Sequence, residues 1–405
     1  MSDTFFCHVY ETWGADPRRD RPCQFAGVRT DADLNEVGDP LVLFCRPTDD
    51  LLPHPDACLV TGLTPQRVAR EGVIEAEFAR AIHDELSRLE TCGVGYNSLR
   101  FDDEVTRHLF YRNFFDPYAR EWRSGNSRWD LIDVLRLAHA LRPEGIEWPL
   151  NDEGDASFKL EHLTAANGID HGQAHDALAD VRATIALARR LRVAQPRLFG
   201  YALTLRDKRR VRALLDERRP LLHVSARFPA ALGCIAPIFP VAAHPTNSNG
   251  VICFDLRADP VQLLDLSVEE IRRRLFTPSE ELPAGVERVP LKTVHVNHVP
   301  MLAPLATLPP ESAECWRIDP DRVVRHARWI ADAAGEIEQR VCAVHQRPLP
   351  VETDPELMLY SGGFLSDVDR RACDQVVRSN PAELATAPPR FSDPRLGTLL
   401  FRYRA

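Results

Sequence analysis

The ten cysteines of this 405-residue chain are scattered, and no two of them stand at C-x2-4-C spacing. That excludes a cysteine-built zinc site and a disulfide framework. Isolated thiols such as Cys7, Cys92 and Cys253 lie in apolar runs and read as small buried hydrophobes in a reducing cytoplasm. There is no run of about 18 apolar residues, so no helical membrane span is expected. Met1-Ser2-Asp3-Thr4 has no basic n-region of a secretory signal. Positive charge is not in excess either. The formal net charge is −9, which does not advertise nucleic-acid binding, although a basic channel can sit on an acidic body. Internal repeats and low-complexity tails are missing. What remains is a chain with 44% hydrophobic residues, too long for one ordinary core. It reads as two or three domains of a cytoplasmic enzyme.

Residues 5–11, 24–30 and 41–46 are β-rich runs separated by Gly14-Ala15-Asp16-Pro17 and Gly38-Asp39-Pro40, and read as consecutive hairpin-linked strands. Thr64 caps and Pro65 opens a helical segment, with helical spacing to about residue 90. Cys92-Gly93-Val94-Gly95-Tyr96-Asn97 is a short strand that stops at a polar turn. Helices are expected at about 102–113, 129–141, 157–167 and 176–192. Strands first, then strands alternating with helices, predict an α/β domain on a mixed sheet. Beyond residue 195 a basic helix (Arg206 to Arg219) precedes short β runs at Leu221–Ser225, Val251–Leu256 and Leu291–Val296, with a helix near Ser267–Leu275. From about residue 320 the pattern is helical to the end.

Four residues carry a possible chemistry. Glu11 ends the first strand, at the C-terminal edge where open α/β sheets place ligands. Val9 shares its face, about 6–7 Å along the strand. Asp102 opens a helix after a later strand, in the run Asp102-Asp103-Glu104. Acids in a first helical turn are expected for the dipole alone. His175 and Asp180 bracket the start of another helix. Each is commonplace singly. An acid at a strand end, an acid after a second strand and H-x4-D at a helix start, in that order within one domain, form a specific constellation. Carboxylates suit hard divalent cations. Two ions about 3.5–4 Å apart can hold the attacking and leaving oxygens of a phosphodiester displacement, and a histidine near neutrality can take the proton from the attacking water.

The chain resembles the bacterial exodeoxyribonuclease I family over essentially its whole length. The carrying segments are Tyr10-Glu11-Thr12, Arg21-Pro22-Cys23-Gln24-Phe25-Ala26, Thr61-Gly62-Leu63-Thr64-Pro65, Gly95-Tyr96-Asn97, Arg100 to Arg107 and Tyr111-Arg112-Asn113. Asn126-Ser127-Arg128-Trp129-Asp130, Leu141-Arg142-Pro143-Glu144-Gly145-Ile146, Leu160-Glu161-His162-Leu163 and Ala174-His175-Asp176-Ala177 extend the match. The resemblance implies a ribonuclease H-like DEDDh exonuclease domain over 1–195, an SH3-like β domain with an inserted helix over 196–349, and a C-terminal helical domain over 350–405 that is incomplete. Together they would form a channel for single-stranded DNA in DNA repair and recombination. Glu11, Asp180 and Asp102 look like metal ligands, for Mg2+ or for Mn2+ in its place, and His175 looks like the general base. Lys159, Arg107, Tyr118, Trp122, Arg136, Tyr201, Lys208, Asn249, Lys292 and Asn297 fall where family members contact the strand. Cations for phosphates and rings for bases suit that task. Arg142, Tyr201 and Arg219 match part of a patch for the acidic tail of single-strand-binding protein, while Pro309 stands where an arginine is expected. A monomer with no membrane association is implied.

One departure bears on activity. Val9 stands where the family has an aspartate that bridges both metal ions. Valine supplies no ligand, Asp3 lies too far up the strand, and Asp16 lies beyond the Gly14 turn. Loss of one member of a catalytic unit costs on the order of 10⁴–10⁶ in rate. Two readings stay open: an exonuclease releasing 5′-mononucleotides from 3′ ends, and a catalytically silent single-stranded-DNA-binding protein of the same fold. A DEDDh ribonuclease or proofreading subunit needs only the first domain, so the segments after residue 195 argue against it.

Overall fold

The computed structural model describes residues 4–172, 176–346 and 351–404. By packing, the chain divides into two compact units. The first comprises Met1–Leu131, Gly168–Arg189 and Pro350–Ala405, and the second Ile132–Asn167 and Arg190–Leu349. The C-terminal segment packs within the first unit, and residues 132–167 pack within the second.

Among the described residues the first unit holds a five-stranded sheet in the order β3-β2-β1-β4-β5. The strands are β1 (Thr4–Thr12), β2 (Pro22–Thr30), β3 (Leu41–Phe44), β4 (Thr91–Gly95) and β5 (Ser127–Asp130). β2 is antiparallel to β1 and β3, whereas β4 is parallel to β1 and β5. β1 and β2 contribute Phe6, Tyr10 and Phe25 to a core closed by the helices Glu75–Leu86 and Asp102–Arg112. The first of these helices buries Phe78, Ala79, Ile82 and Leu86, a stripe at helical spacing that faces the core. The helices Asp367–Arg378, Pro381–Thr386 and Pro394–Arg404 build a second core from Cys373, Val376, Leu384, Leu396 and Leu399. Tyr111 and Phe114 belong to it, which joins the C-terminal segment to the end of the Asp102–Arg112 helix.

The second unit carries an antiparallel sheet in the order β10-β6-β7-β8-β9. Its strands are β6 (Leu221–Val224), β7 (Ile235–Ala243), β8 (Gly250–Asp255), β9 (Leu291–His295) and β10 (Met301–Pro304). The helix Val268–Phe276 starts where the sequence places it, with Ser267 accepting from the Glu270 amide.

Two expectations need correction, and one strand was not expected. The helix expected from residue 129 starts at Leu131, because Ser127–Asp130 pairs with β4 first. The helix expected over 157–167 runs over Leu160–Ala166, since Lys159 keeps extended backbone at its cap. β7 was not foreseen. It contains Pro237 and Pro240, which argue against a central strand, and a register shift between Pro240 and Ala242 accommodates them.

Asp103 is fully buried and ion-paired to Arg120 and Arg128. Burial alone would raise its pKa, but the two guanidinium groups outweigh that and hold it well below the usual carboxylate range. Arg120→Ala strands this charge, so a loss of about 3–5 kcal/mol is expected. Arg402→Ala, which breaks partly exposed pairs with Asp354 and Glu356, should cost about 1 kcal/mol or less. Urea unfolding of both variants beside the parent checks the contrast, and equal losses would contradict it.

Candidate active site

The site is set by where β1 outruns its neighbour. β1 pairs with β4 only as far as Cys7, opposite Val94. Beyond that point Val9 and Glu11 are the partly exposed positions of an otherwise buried strand end, on one face. The Tyr10 amide has no β4 partner there, and it donates to Asp102 Oδ1 at 2.8 Å. Gly95 ends β4, and a Cβ on it would lie 2.4 Å from the Ser98 Cβ, so the turn leading to Asp102 requires glycine. Asp130, at the end of β5, accepts from the amides of Asn97 (2.8 Å) and Leu99 (3.2 Å) and holds the same turn, with Asn97 at φ 60°.

The three acids of the first helical turn have separate partners. Asp102 faces β1. Asp103 neutralises Arg120 and Arg128. Glu104 accepts from Arg107 at 2.6 Å and from the Tyr360 hydroxyl at 2.6 Å. Burial pushes Asp102 up to about 8, against the pull of the Tyr10 amide and with help from Asp103 and Glu11. Glu11 is pushed up to about 7, first by burial and then by the Asp180 carboxylate.

Asp180 lies one turn into the helix Ala177–Ala194 and is held by His171, whose Nε2 is 2.7 Å from Asp180 Oδ1. Sequence reasoning missed His171. It carries no signal beyond being a histidine nine residues before an acid, and only the fold makes it a partner. His175 lies outside the described residues.

Asp180 lies near enough to Glu11 to help raise it, and two such carboxylates could together hold a hard divalent cation. They do not suit a bridged pair of ions. Among the described residues no three histidine, cysteine or acidic side chains converge as a metal-holding group, and position 9 presents a valine.

Of the expected strand contacts in the first unit, Trp122 is 62% exposed. Tyr118 is half-buried, with the Arg107 guanidinium 5.7 Å from its ring centroid. Arg107 itself is buried and bonded to Glu104, Glu121 and Tyr360, so its charge is neutralised within the protein. In the second unit Lys159 and Lys208 are exposed. Arg136 is buried, paired with Asp133 at 2.6 Å and set over Phe158. Lys292 sits 4.3 Å from the Phe228 ring centroid. Asn249 accepts from the Val296 amide, next to the half-buried Asn297. Arg142 donates to the Thr307 carbonyl and Tyr201 to the Leu302 carbonyl, which brings both onto one segment that also leads to Pro309. Arg219 is exposed after the helix Lys208–Asp216.

Three family models match the chain: Exonuclease over residues 10–188, Exonuclease I SH3-like domain over 206–347, and Exonuclease I C-terminal domain over 353–405. Exodeoxyribonuclease I of Escherichia coli K12 is 46% identical over 409 residues, covering 100% of this chain and 86% of the relative. A solved structure of a moderately thermophilic Exonuclease I from Methylocaldum szegediense superposes with TM-score 0.95 at 52% identity, covering 100% of this chain and 85% of that one. E. coli Exonuclease I in complex with a dA16 oligonucleotide gives TM-score 0.96 at 46% identity, covering 100% and 86%. Further similar structures of Exonuclease I include a zinc-bound form of the complex with single-stranded DNA and an SSB/Exonuclease I complex with an inhibitor.

The two raised carboxylates have a measurable consequence. From about pH 4, where free carboxyl groups ionise, up to about 8, the folded chain holds protons that the unfolded chain has lost. Without metal, stability therefore falls as pH rises through this window. Asp102→Asn keeps an acceptor for the Tyr10 amide but has no charge to bury, so it should flatten part of the fall. Thermal melts in EDTA at about pH 5 and about pH 8 check this; parallel declines in both chains would contradict it.

Proposed function

The chain belongs to the exodeoxyribonuclease I family, and from that premise we propose that it removes 5′-mononucleotides from the 3′ end of single-stranded DNA, in DNA repair and recombination, as a monomer. Mg2+ is the proposed ion, with Mn2+ as a substitute. The observation that carries the reading is the Glu11–Asp180 carboxylate pair at the open end of β1, beside an Asp102 tethered to the same strand. A bound divalent cation would supply charge neutralisation for this pair and for the scissile phosphate. His175 takes the proton of the attacking water, the water oxygen bonds to phosphorus, and the bond to the 3′-oxygen of the preceding nucleotide breaks. His171 keeps the Asp180 carboxylate turned into place through the 2.7 Å contact.

The composition supports the strand contacts. Of 50 lysines and arginines only three are lysine, and these are Lys159, Lys208 and Lys292, all at positions assigned to the strand. In a chain that otherwise uses arginine for positive charge, the exposed Lys159 and Lys208 fit mobile, point-charge contacts to phosphates, whereas Lys292 is packed over the Phe228 ring. Trp122 and Tyr118 supply ring faces for bases. Arg142, Tyr201 and Arg219 are the proposed contacts for the acidic tail of single-strand-binding protein, in keeping with the SSB/Exonuclease I complex among the similar structures.

Val9 favours a second reading, in which the chain holds the strand but cleaves it slowly or not at all. Replacing a carboxylate by valine removes a ligand and also lessens repulsion of phosphate, so binding survives where hydrolysis does not. The assay is release of 5′-mononucleotides from a single-stranded oligonucleotide with Mg2+ and then with EDTA. Val9→Asp should raise the Mg2+-dependent rate by about 10⁴ or more. No gain on that substitution would sink the assignment of position 9 to the metal site.

A further inference from the structure

A pocket of about 350 Å³ lies in the second unit, lined by His244, Phe276, Arg288, Thr293, His295 and His345 among others. Its volume falls within the range of about 300–1,000 Å³ typical of small-molecule sites. Thr293 and His295 reach it from one face of β9. Lys292 alternates to the other face and packs on Phe228, so the pocket is separate from the strand contact assigned to that lysine.

The lining is rich in donors and contains no carboxylate. The Thr246 amide lies 3.3 Å from His244 Nδ1 and donates to it, so the neutral ring carries its proton on Nε2. Asn247 Nδ2 stands 3.4 Å from His295 Nδ1, a contact compatible with the same tautomer there. Arg288 adds a guanidinium, with one N–H directed to the Leu275 carbonyl. Rings also line the pocket beside these polar groups. His345, fixed by a 2.9 Å bond between its Nδ1 and the Val341 carbonyl, meets Phe276 edge-on at 5.7 Å and His244 at 5.2 Å. The three imidazoles are not a metal-holding group.

We propose that this pocket binds a nucleoside 5′-phosphate, with the phosphate oxygens on Arg288 and the Nε2–H groups of His244 and His295 and the base against Phe276 and His345. Charge-assisted bonds suit the phosphate, and a planar base suits the rings as phosphate alone does not. The ligand has two sources: a free mononucleotide, or one nucleotide unit of a bound strand. The inference goes beyond the proposed hydrolysis and does not depend on it.

The test is equilibrium binding of dAMP, deoxyadenosine and inorganic phosphate to the full chain in EDTA, which suppresses metal-dependent binding and cleavage. Saturable dAMP binding is expected, at least tenfold tighter than either fragment and at least tenfold weaker in Arg288→Ala and in His295→Gln. Arg288 is exposed, so its variant leaves the core intact. A single-stranded oligonucleotide in EDTA separates the sources: if Arg288→Ala weakens it in parallel, the strand supplies the nucleotide, and if it does not, the free nucleotide does. Absence of saturable dAMP binding at millimolar concentration, or equal binding in both variants, would overturn the proposal. The Mg2+-dependent release assay reads the hydrolytic reading separately.

Discussion

A buried aspartate fixes the geometry on which the site depends. Asp103 has no water to solvate its charge, so it stays ionised only where Arg120 and Arg128 both reach it. Arg128 comes from β5, and Arg120 from the short turn Ala119–Glu121. Their convergence determines where the helix Asp102–Arg112 begins. Asp102, one residue earlier, then lies under the open end of β1 and takes the Tyr10 amide that β4 no longer pairs. The neighbouring Glu11 is placed by the same strand end. Glu121 and Arg107 extend the ionic chain to Glu104 and Tyr360, so the C-terminal segment is tied to the same turn.

Several residues that carry the family resemblance are bonded within the protein around this turn. Asn126 accepts from the Thr91 amide and donates to the Leu86 carbonyl. Arg128 meets Asp103, Trp129 fills the core, and Asp130 holds the turn at Asn97. Arg112 and Asn113 both bind Glu75, which burial would raise but which Arg112 and Arg21 hold down to about 2. These residues hold the elements around the candidate site in place.

The first strands and the mixed sheet were legible because periodicity and turn residues are local signals, and the strand-end acids Glu11 and Asp102 could be picked out for the same reason. Partnerships across sequence distance were not. Arg107 looks like a phosphate-binding cation, yet Glu121, fourteen residues on, encloses it. The triplet Asp102-Asp103-Glu104 reads as one dipole-complementing run, whereas burial sorts it into three roles. β5 was hidden because its four residues run directly into a helix, and β7 because its prolines mimic a loop. His171 became visible only when the chain brought it to Asp180.

What remains at the centre is a charge balance. Burial and then the Asp180 carboxylate raise Glu11, and a divalent cation held by the proposed pair would relieve that repulsion. With valine at position 9, that face of β1 offers no carboxylate, so on the proposed reading the pair would hold one ion. Mn2+ titration followed by electron paramagnetic resonance tests this claim most directly. The account predicts one bound Mn2+ per chain with an uncoupled spectrum, and a second, spin-coupled ion once Val9 is replaced by aspartate. Two coupled ions in the chain with Val9 would contradict it.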